Sequence, residues 1–280
     1  MCGRINLSDN EGVQALMAML GVPLFPVLPT PRWNVSPTAQ LSTLVSGAMN
    51  DDAPLLNTTM RWGLEAPWSE PGKTSRRLIN ARSETLLSKP TFRDLAKHHR
   101  AVVPVNGFYE WQVVGEERIP YYIQVKTLPA MLLAAVYQPM SAEDIAKERV
   151  TAEAKAKAKA DAKATPQMGF SFDDEPTPAA KASNSNAKSQ GQDRQDEFTG
   201  DFAVVTTAAS SAMADIHHRA PVMLNVEQAK RWLRTEDPAE IESLTAPESI
   251  MDVTVRRVSR AVNSSRNDGP ECVRPADDEN

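Results

Sequence analysis

Between residues 141 and 200 the chain loses the apolar periodicity that it carries everywhere else, and this gap most constrains its fold. Residues 150–164 are nearly all Ala, Lys, Glu and Asp, with no apolar stripe beyond alanine. Such a stretch can form a solvent-exposed helix but has nothing to bury. Residues 165–200 are rich in Ser, Asn, Gln, Pro, Asp and Lys, a composition too polar to repay the entropy of ordering. A structureless loop this long is out of keeping with a compact domain, so disorder is expected. We read the segment as an insert between two strands. Residues 1–140 and 201–274 form one discontinuous domain, 141–200 the insert and 275–280 an acidic tail.

Around the insert the chain alternates strand signals with short helices. Ser8 and Asp9 are N-cap residues for a helix with Val13, Leu16, Met17 and Leu20 on one face, ended by Gly21. Pro23, Pro26, Pro29 and Pro31 then enforce an extended connector. Strands are expected over residues 3–7, 40–46, 101–105, 121–125, 131–137, 202–207 and 251–258, with a further extended segment ending at 60–64. A short helical region leads up to Arg100, and two helices follow over 226–233 and 238–244. The fold class is α+β: one β-rich domain of mostly antiparallel strands with peripheral helices.

Apolar residues make up 41% of the chain, enough for a sizeable core. The two cysteines, Cys2 and Cys272, are too few for a zinc set or a disulfide framework, which points to a reducing compartment. No signal sequence opens the chain and no apolar run reaches membrane-spanning length, so a soluble cytoplasmic protein is expected, nucleoid-associated if bacterial. No metal or cofactor constellation is visible. The net charge of −5 argues against wholesale nucleic-acid binding, yet the eight Lys and Arg between Lys73 and Arg100 face only Glu84 and Asp94. Such a run is either a local phosphate-binding patch or a solvated helix face.

The chain opens Met1-Cys2-Gly3-Arg4. Cys2 is small enough to permit removal of Met1, which would leave an α-amine and a thiol on adjacent carbons. A 1,2-aminothiol condenses with an aldehyde to an imine and closes a thiazolidine ring, chemistry that an internal cysteine lacks. The α-amine titrates near 7.7–8.0, so part of it is nucleophilic at neutral pH. Arg4 is one nearby cation that could tune the thiol. The competing reading is ordinary burial, since free cysteine is among the most buried residue types.

Further motifs line up behind this terminus: Trp62-Gly63-Leu64 with Trp68, Asn80-Ala81-Arg82-Ser83-Glu84, Gly107-Phe108-Tyr109-Glu110-Trp111, His217-His218-Arg219 with Pro221, and Val258-Ser259 with Val262-Asn263. In this order they resemble the SRAP (SOS response-associated peptidase) family, known for shielding abasic sites in single-stranded DNA. The resemblance covers all but the insert and the tail. It implies a covalent DNA–protein crosslink through Cys2 after loss of Met1, possible autoproteolytic and abasic-site lyase activity, and a monomer that binds single-stranded DNA without sequence preference. By the same resemblance Glu110 shuttles protons, His217 opens the sugar ring and Asn80 orients the amine or sugar. Arg4, Arg82 and Arg219 bind phosphates, Trp68 and Phe92 meet bases, and Asn34 and Pro37 line the same cleft. Trp62 and Trp111 are expected in the core. Ala220 stands where the family usually has methionine, which would loosen packing behind His217. Ser69 replaces the second tryptophan of some relatives.

Taken alone, each residue has a blander reading: Glu110 an edge-strand charge, His217 a surface residue, Asn80 a turn residue. Two rival functions follow, a cysteine peptidase using Cys2 and His217, and a non-covalent single-stranded-DNA binding module.

Overall fold

In a computed structural model, the described residues are 2–22, 30–48, 53–66, 77–128, 130–141, 143, 198–247 and 251–276. The expectations for Met1, Trp68, Ser69 and nearly all of the 141–200 segment fall outside them. By contacts the chain divides into two units, Met1–Pro139 with Asp196–Asn280, and Met140–Gln195. The first unit holds the elements that follow.

In chain order these are β1 (Ile5–Leu7), α1 (Asn10–Met19), β2 (Arg32–Val35), β3 (Gln40–Ser46), β4 (Leu55–Trp62), β5 (Asn80–Arg82), α2 (Pro90–His98), β6 (Arg100–Val105), β7 (Gly107–Val114), β8 (Glu117–Val125) and β9 (Met131–Pro139). After residue 197 come β10 (Phe198–Ala208), β11 (Arg219–Pro221), β12 (Met223–Leu224), α3 (Val226–Arg234), α4 (Pro238–Leu244) and β13 (Val253–Arg257). The α+β class holds. No helix among the described residues is long and apolar enough to cross a membrane.

Two sheets carry the strands. One is antiparallel throughout, in the order β13-β8-β7-β1-β2. The other runs β11-β10-β4-β3-β6-β9-β12, and β9 also pairs with β10, so the path β10-β4-β3-β6-β9 closes on itself. Most pairings are antiparallel, but β10 runs parallel to both β4 and β5. Closure leaves β10 without a free edge along its middle, which removes a template for aberrant pairing.

The central strands explain why their sequences read as continuous apolar runs. In β6, Ala101, Val103 and Val105 face one core cluster while Val102 faces the other; β9 divides Met131, Leu133 and Ala135 from Leu132, Ala134 and Val136 in the same way. A strand covered on both faces needs apolar residues at every position. One cluster is closed by the helices, through Leu16, Met17, Phe92, Trp232 and Leu233. The other is closed by the five-stranded sheet, through Ile5, Val35, Phe108 and Ile123.

Caps set the helix limits. The Asp9 carboxylate accepts from Gly12 N–H, and Gly21 takes φ +73° just past α1. A reciprocal pair of hydrogen bonds between Asn225 and Gln228 opens α3. β2, which follows the proline-rich connector, is an edge strand that no sequence pattern had assigned.

Candidate active site

β7 is the scaffold of the site. It lies between β8 and β1, and just past the end of the β1 pairing Glu110 is buried, with only 3% of it exposed. Gly107 lets β8 approach this closely, since a Cβ there would lie 2.5 Å from the Tyr122 ring and 2.6 Å from the Ile123 carbonyl oxygen. β1 pairs Ile5 with Phe108, and Tyr109 N–H donates to the Arg4 carbonyl at 3.0 Å. The ladder thereby draws the chain start alongside Glu110.

Cys2 is fully buried in the core cluster between the sheets. Asn80, at the start of β5, donates from Nδ2 to the Cys2 carbonyl oxygen at 2.9 Å. The buried Asn80 Oδ1 has no hydrogen-bond partner among the described residues. Burial first, and the Glu110 carboxylate second, push the Cys2 thiol well above the ordinary cysteine range. The thiol is therefore protonated at neutral pH.

His217 ends a turn that follows β10. Its Nδ1 lies 3.0 Å from the Arg219 N–H and 3.2 Å from the Arg219 carbonyl oxygen. The same nitrogen can accept from the first when bare or donate to the second when protonated, so the ring changes protonation without reorienting. Burial lowers its pKa, against the opposing pull of Glu110. His217 is thus neutral at pH 7, and its ring stacks on His218 with centroids 4.5 Å apart.

A cleft of about 490 Å³ opens Glu110 and His217 to solvent next to the buried Cys2, lined by Gly3, Arg4, Glu110, Trp111, Val113, Arg118, His217 and Asn263. Trp111, expected in the core, instead walls this cleft half-buried. Its Nε1 donates to Asn263 Oδ1 at 2.6 Å, and the Arg4 and Arg118 guanidiniums lie 5.7 and 5.9 Å from its ring centroid. Trp62 is core, fully buried.

The expected phosphate and base contacts separate into two groups. Arg4 lines the cleft, Arg82 is exposed beside Asn80, and Pro37 is half-buried. Asn34, Phe92 and Arg219 are 2%, 6% and 8% exposed and face inward. Phe92 packs in the helix-covered cluster, because the one-sided pattern of α2 turns it toward the core. Asn34 accepts from Arg4 Nη1 at 2.7 Å and donates to the carbonyls of Val262, Ser264 and Asn267. Arg219 makes a two-pronged ion pair with Glu84 and donates to the Thr206 carbonyl at 2.6 Å. Its carboxylate partner sits four residues beyond Asn80, just past β5, so the pair ties the Asn80 and His217 segments together.

Sequence reasoning missed Arg118 and Val113, whose only signal was alternation along a short hairpin. Ala220 is fully buried in the same cluster as Met213. Among the described residues no three or more His, Cys, Asp or Glu gather as a metal site.

The family model for SOS response associated peptidase (SRAP) matches residues 1–265. The chain belongs to the SRAP family. Two SRAP-like relatives are named abasic site processing proteins. YoqW of Bacillus subtilis is 28% identical over 246 residues, covering 87% of this chain and 85% of that protein. Mouse HMCES is 30% identical over 261 residues, covering 88% of this chain and 65% of HMCES. In fold, the chain is similar to a Bacteroides thetaiotaomicron protein of known crystal structure, with a TM-score of 0.61 at 20% identity, covering 98% of this chain and all of that one. The SRAP match thus spans the segments that carry Cys2, Asn80, Glu110 and His217.

Proposed function

We propose that this SRAP protein processes abasic sites in single-stranded DNA, capturing the lesion covalently through Cys2 after Met1 is removed. The observation that carries the reading is a cleft lined by Gly3, Glu110 and His217, with Asn80 bonded to the carbonyl of the adjoining, buried Cys2. The names of YoqW and HMCES support the lesion class.

An abasic deoxyribose opens to an aldehyde at C1′. The Cys2 α-amine adds to this carbon and water leaves, giving an imine. The thiol S–H then adds across the C=N bond and closes a five-membered thiazolidine, with no net oxidation. A thiol held protonated by burial suits this order, because the amine attacks first and the sulfur delivers its proton as the ring closes. Glu110 carries protons between the amine and the departing water. His217, neutral at pH 7, promotes opening of the sugar ring. Asn80 fixes the Cys2 carbonyl and hence the direction of the amine. Arg4 and Arg82 meet phosphates through their forked donors. Asn34, Phe92 and Arg219 act one step back, holding the elements that carry these groups.

The test is intact mass under denaturing conditions, before and after incubation with an abasic single-stranded oligonucleotide. The expected result is a starting mass lacking Met1 and an adduct, formed with loss of one water, that Cys2→Ala abolishes. A protein that lacks Met1 and forms no adduct overturns the crosslink. Turnover of peptides by that protein would then favour a peptidase.

A further inference from the structure

The far end of the cleft is built by a part of the fold that no motif marks. Beyond Trp111 and Pro120 the β7–β8 hairpin leaves the sheet. β1 pairs with β7 only as far as Tyr109, and β13 follows β8 only to Tyr121, with one last bond from Val258 N–H to the Pro120 carbonyl. Residues 111–120 therefore project as a two-stranded ribbon, paired Val113 to Arg118 and Val114 to Glu117 and turned at Gly115 with φ +60°.

A free two-stranded ribbon is marginal by itself, yet this one is braced. Gln112 Nε2 donates to the Asp215 carbonyl at 3.0 Å, in the turn that carries His217, and Tyr121 donates to Gln112 Oε1 at 3.2 Å. Arg260 pairs with Glu117 from the other side. Trp111 is locked to Asn263.

The ribbon's cleft face combines two chemistries. On that face Val113 is 67% exposed, one of the four large hydrophobics left exposed among the described residues, while its neighbour Val114 points to the opposite face. Directly across from Val113 stands Arg118, exposed, resting on Trp111 and paired with no carboxylate among the described residues. Arg4 approaches the same ring from just before β1. An apolar contact beside two guanidiniums, continuous with the reactive end, fits an unstacked nucleotide: base against Val113, phosphodiester against Arg118.

We infer that the 111–120 ribbon is a binding subsite for the single-stranded nucleotide flanking the captured lesion, with Arg118 as its phosphate contact and Val113 as its base contact. The inference rests on the proposed reaction on single-stranded DNA. Sequence independence follows from its parts, since neither a methyl surface nor a phosphate fork reads base edges.

The test measures affinity of the full chain for a fluorescent oligothymidylate without an abasic site, by anisotropy across a salt series, for wild type, Arg118→Glu, Arg118→Gln and Val113→Ser. The expected result is about tenfold weaker binding for Arg118→Gln and more for Arg118→Glu. The slope of log K against log salt should shrink by about 0.7 for each lost single-strand phosphate contact. Val113→Ser should weaken binding about threefold to tenfold with the slope unchanged. Melting temperatures within about 2 °C of wild type exclude misfolding, and Arg118→Gln keeps the test alive if the charge reversal fails to fold. Wild-type binding with unaltered affinity and slope in the variants overturns the ribbon subsite. No wild-type binding at all overturns the proposed function instead.

Discussion

Arg219 imposes two constraints on the site at once. Its backbone N–H and carbonyl flank His217 Nδ1, while its guanidinium grips Glu84 beyond Asn80. The Arg219 hydrogen bonds also hold the Glu84 carboxyl below the usual carboxylate range. A carboxylate with a depressed folded-state pKa contributes stability that is full above its unfolded pKa and is lost as pH falls through the folded value. Glu84→Gln should therefore lower stability at pH 7 by about 1–2 kcal/mol, the low end because the Glu84 side chain is half exposed. In a chain of this size that is a drop of several degrees in Tm. Calorimetry at pH 7 and pH 3.5 checks it: the wild-type advantage should narrow at the lower pH. Equal melting of variant and wild type at pH 7 would show that the pair is replaced by solvent at no cost.

At the scale of elements, the hairpin β7–β8 joins the core to the cleft. Its inner half is pressed tight by Gly107, and its outer half is free of the sheet. Gly107→Ala introduces a methyl within 2.6 Å of backbone and ring atoms, which cannot be absorbed by a flexible side chain. The expected cost is about 1–3 kcal/mol, with slower capture of an abasic oligonucleotide because Glu110 moves with β7. Chemical denaturation together with the capture rate checks both. Loss of stability with an unchanged rate would separate the packing of β7 from the chemistry at its centre. The basic run of residues 73–100 also resolves at this scale. Arg77 pairs with Asp201 at 2.7 Å, Arg100 is buried against backbone carbonyls at the end of α2, and Arg93 pairs with Asp94. A sequence sum of charges thus overstates the patch, since several of its members serve the fold.

For the whole molecule, the closed path of β10, β4, β3, β6 and β9 is the frame against which the five-stranded sheet packs. Asp201 reinforces the closure, bonding Arg61 at 2.8 Å and Arg77 at 2.7 Å where β10 meets β4. Hydrogen exchange should report this hierarchy. Amides of β6, β9 and the middle of β10 should exchange last, with protection near that of global unfolding, and residues 112–119 among the first of the strand amides. Protection of the ribbon equal to that of β6 would contradict its placement outside the sheet.

Much of this was legible in local pattern. The helix over 238–244 and the strand over 40–46 fall where period and capping residues put them, because both signals act within a few residues. The α+β class follows from the same signals, and the SRAP likeness was readable from short ordered motifs that each keep their own spacing. What local pattern could not decide is which side of an element meets solvent once two layers close over it. Phe92 and Asn34 turned inward, Trp111 turned outward, and Glu110, which read alone could have been an exposed charge, is buried on β7. The ion pair of Arg219 joins residues 135 apart in sequence, and the bond from Asn80 to Cys2 spans 78. Contacts at such separations are set by the packing of whole sheets, so the sequence alone determined which chemical groups were present, and the tertiary structure decided which of them share the cleft.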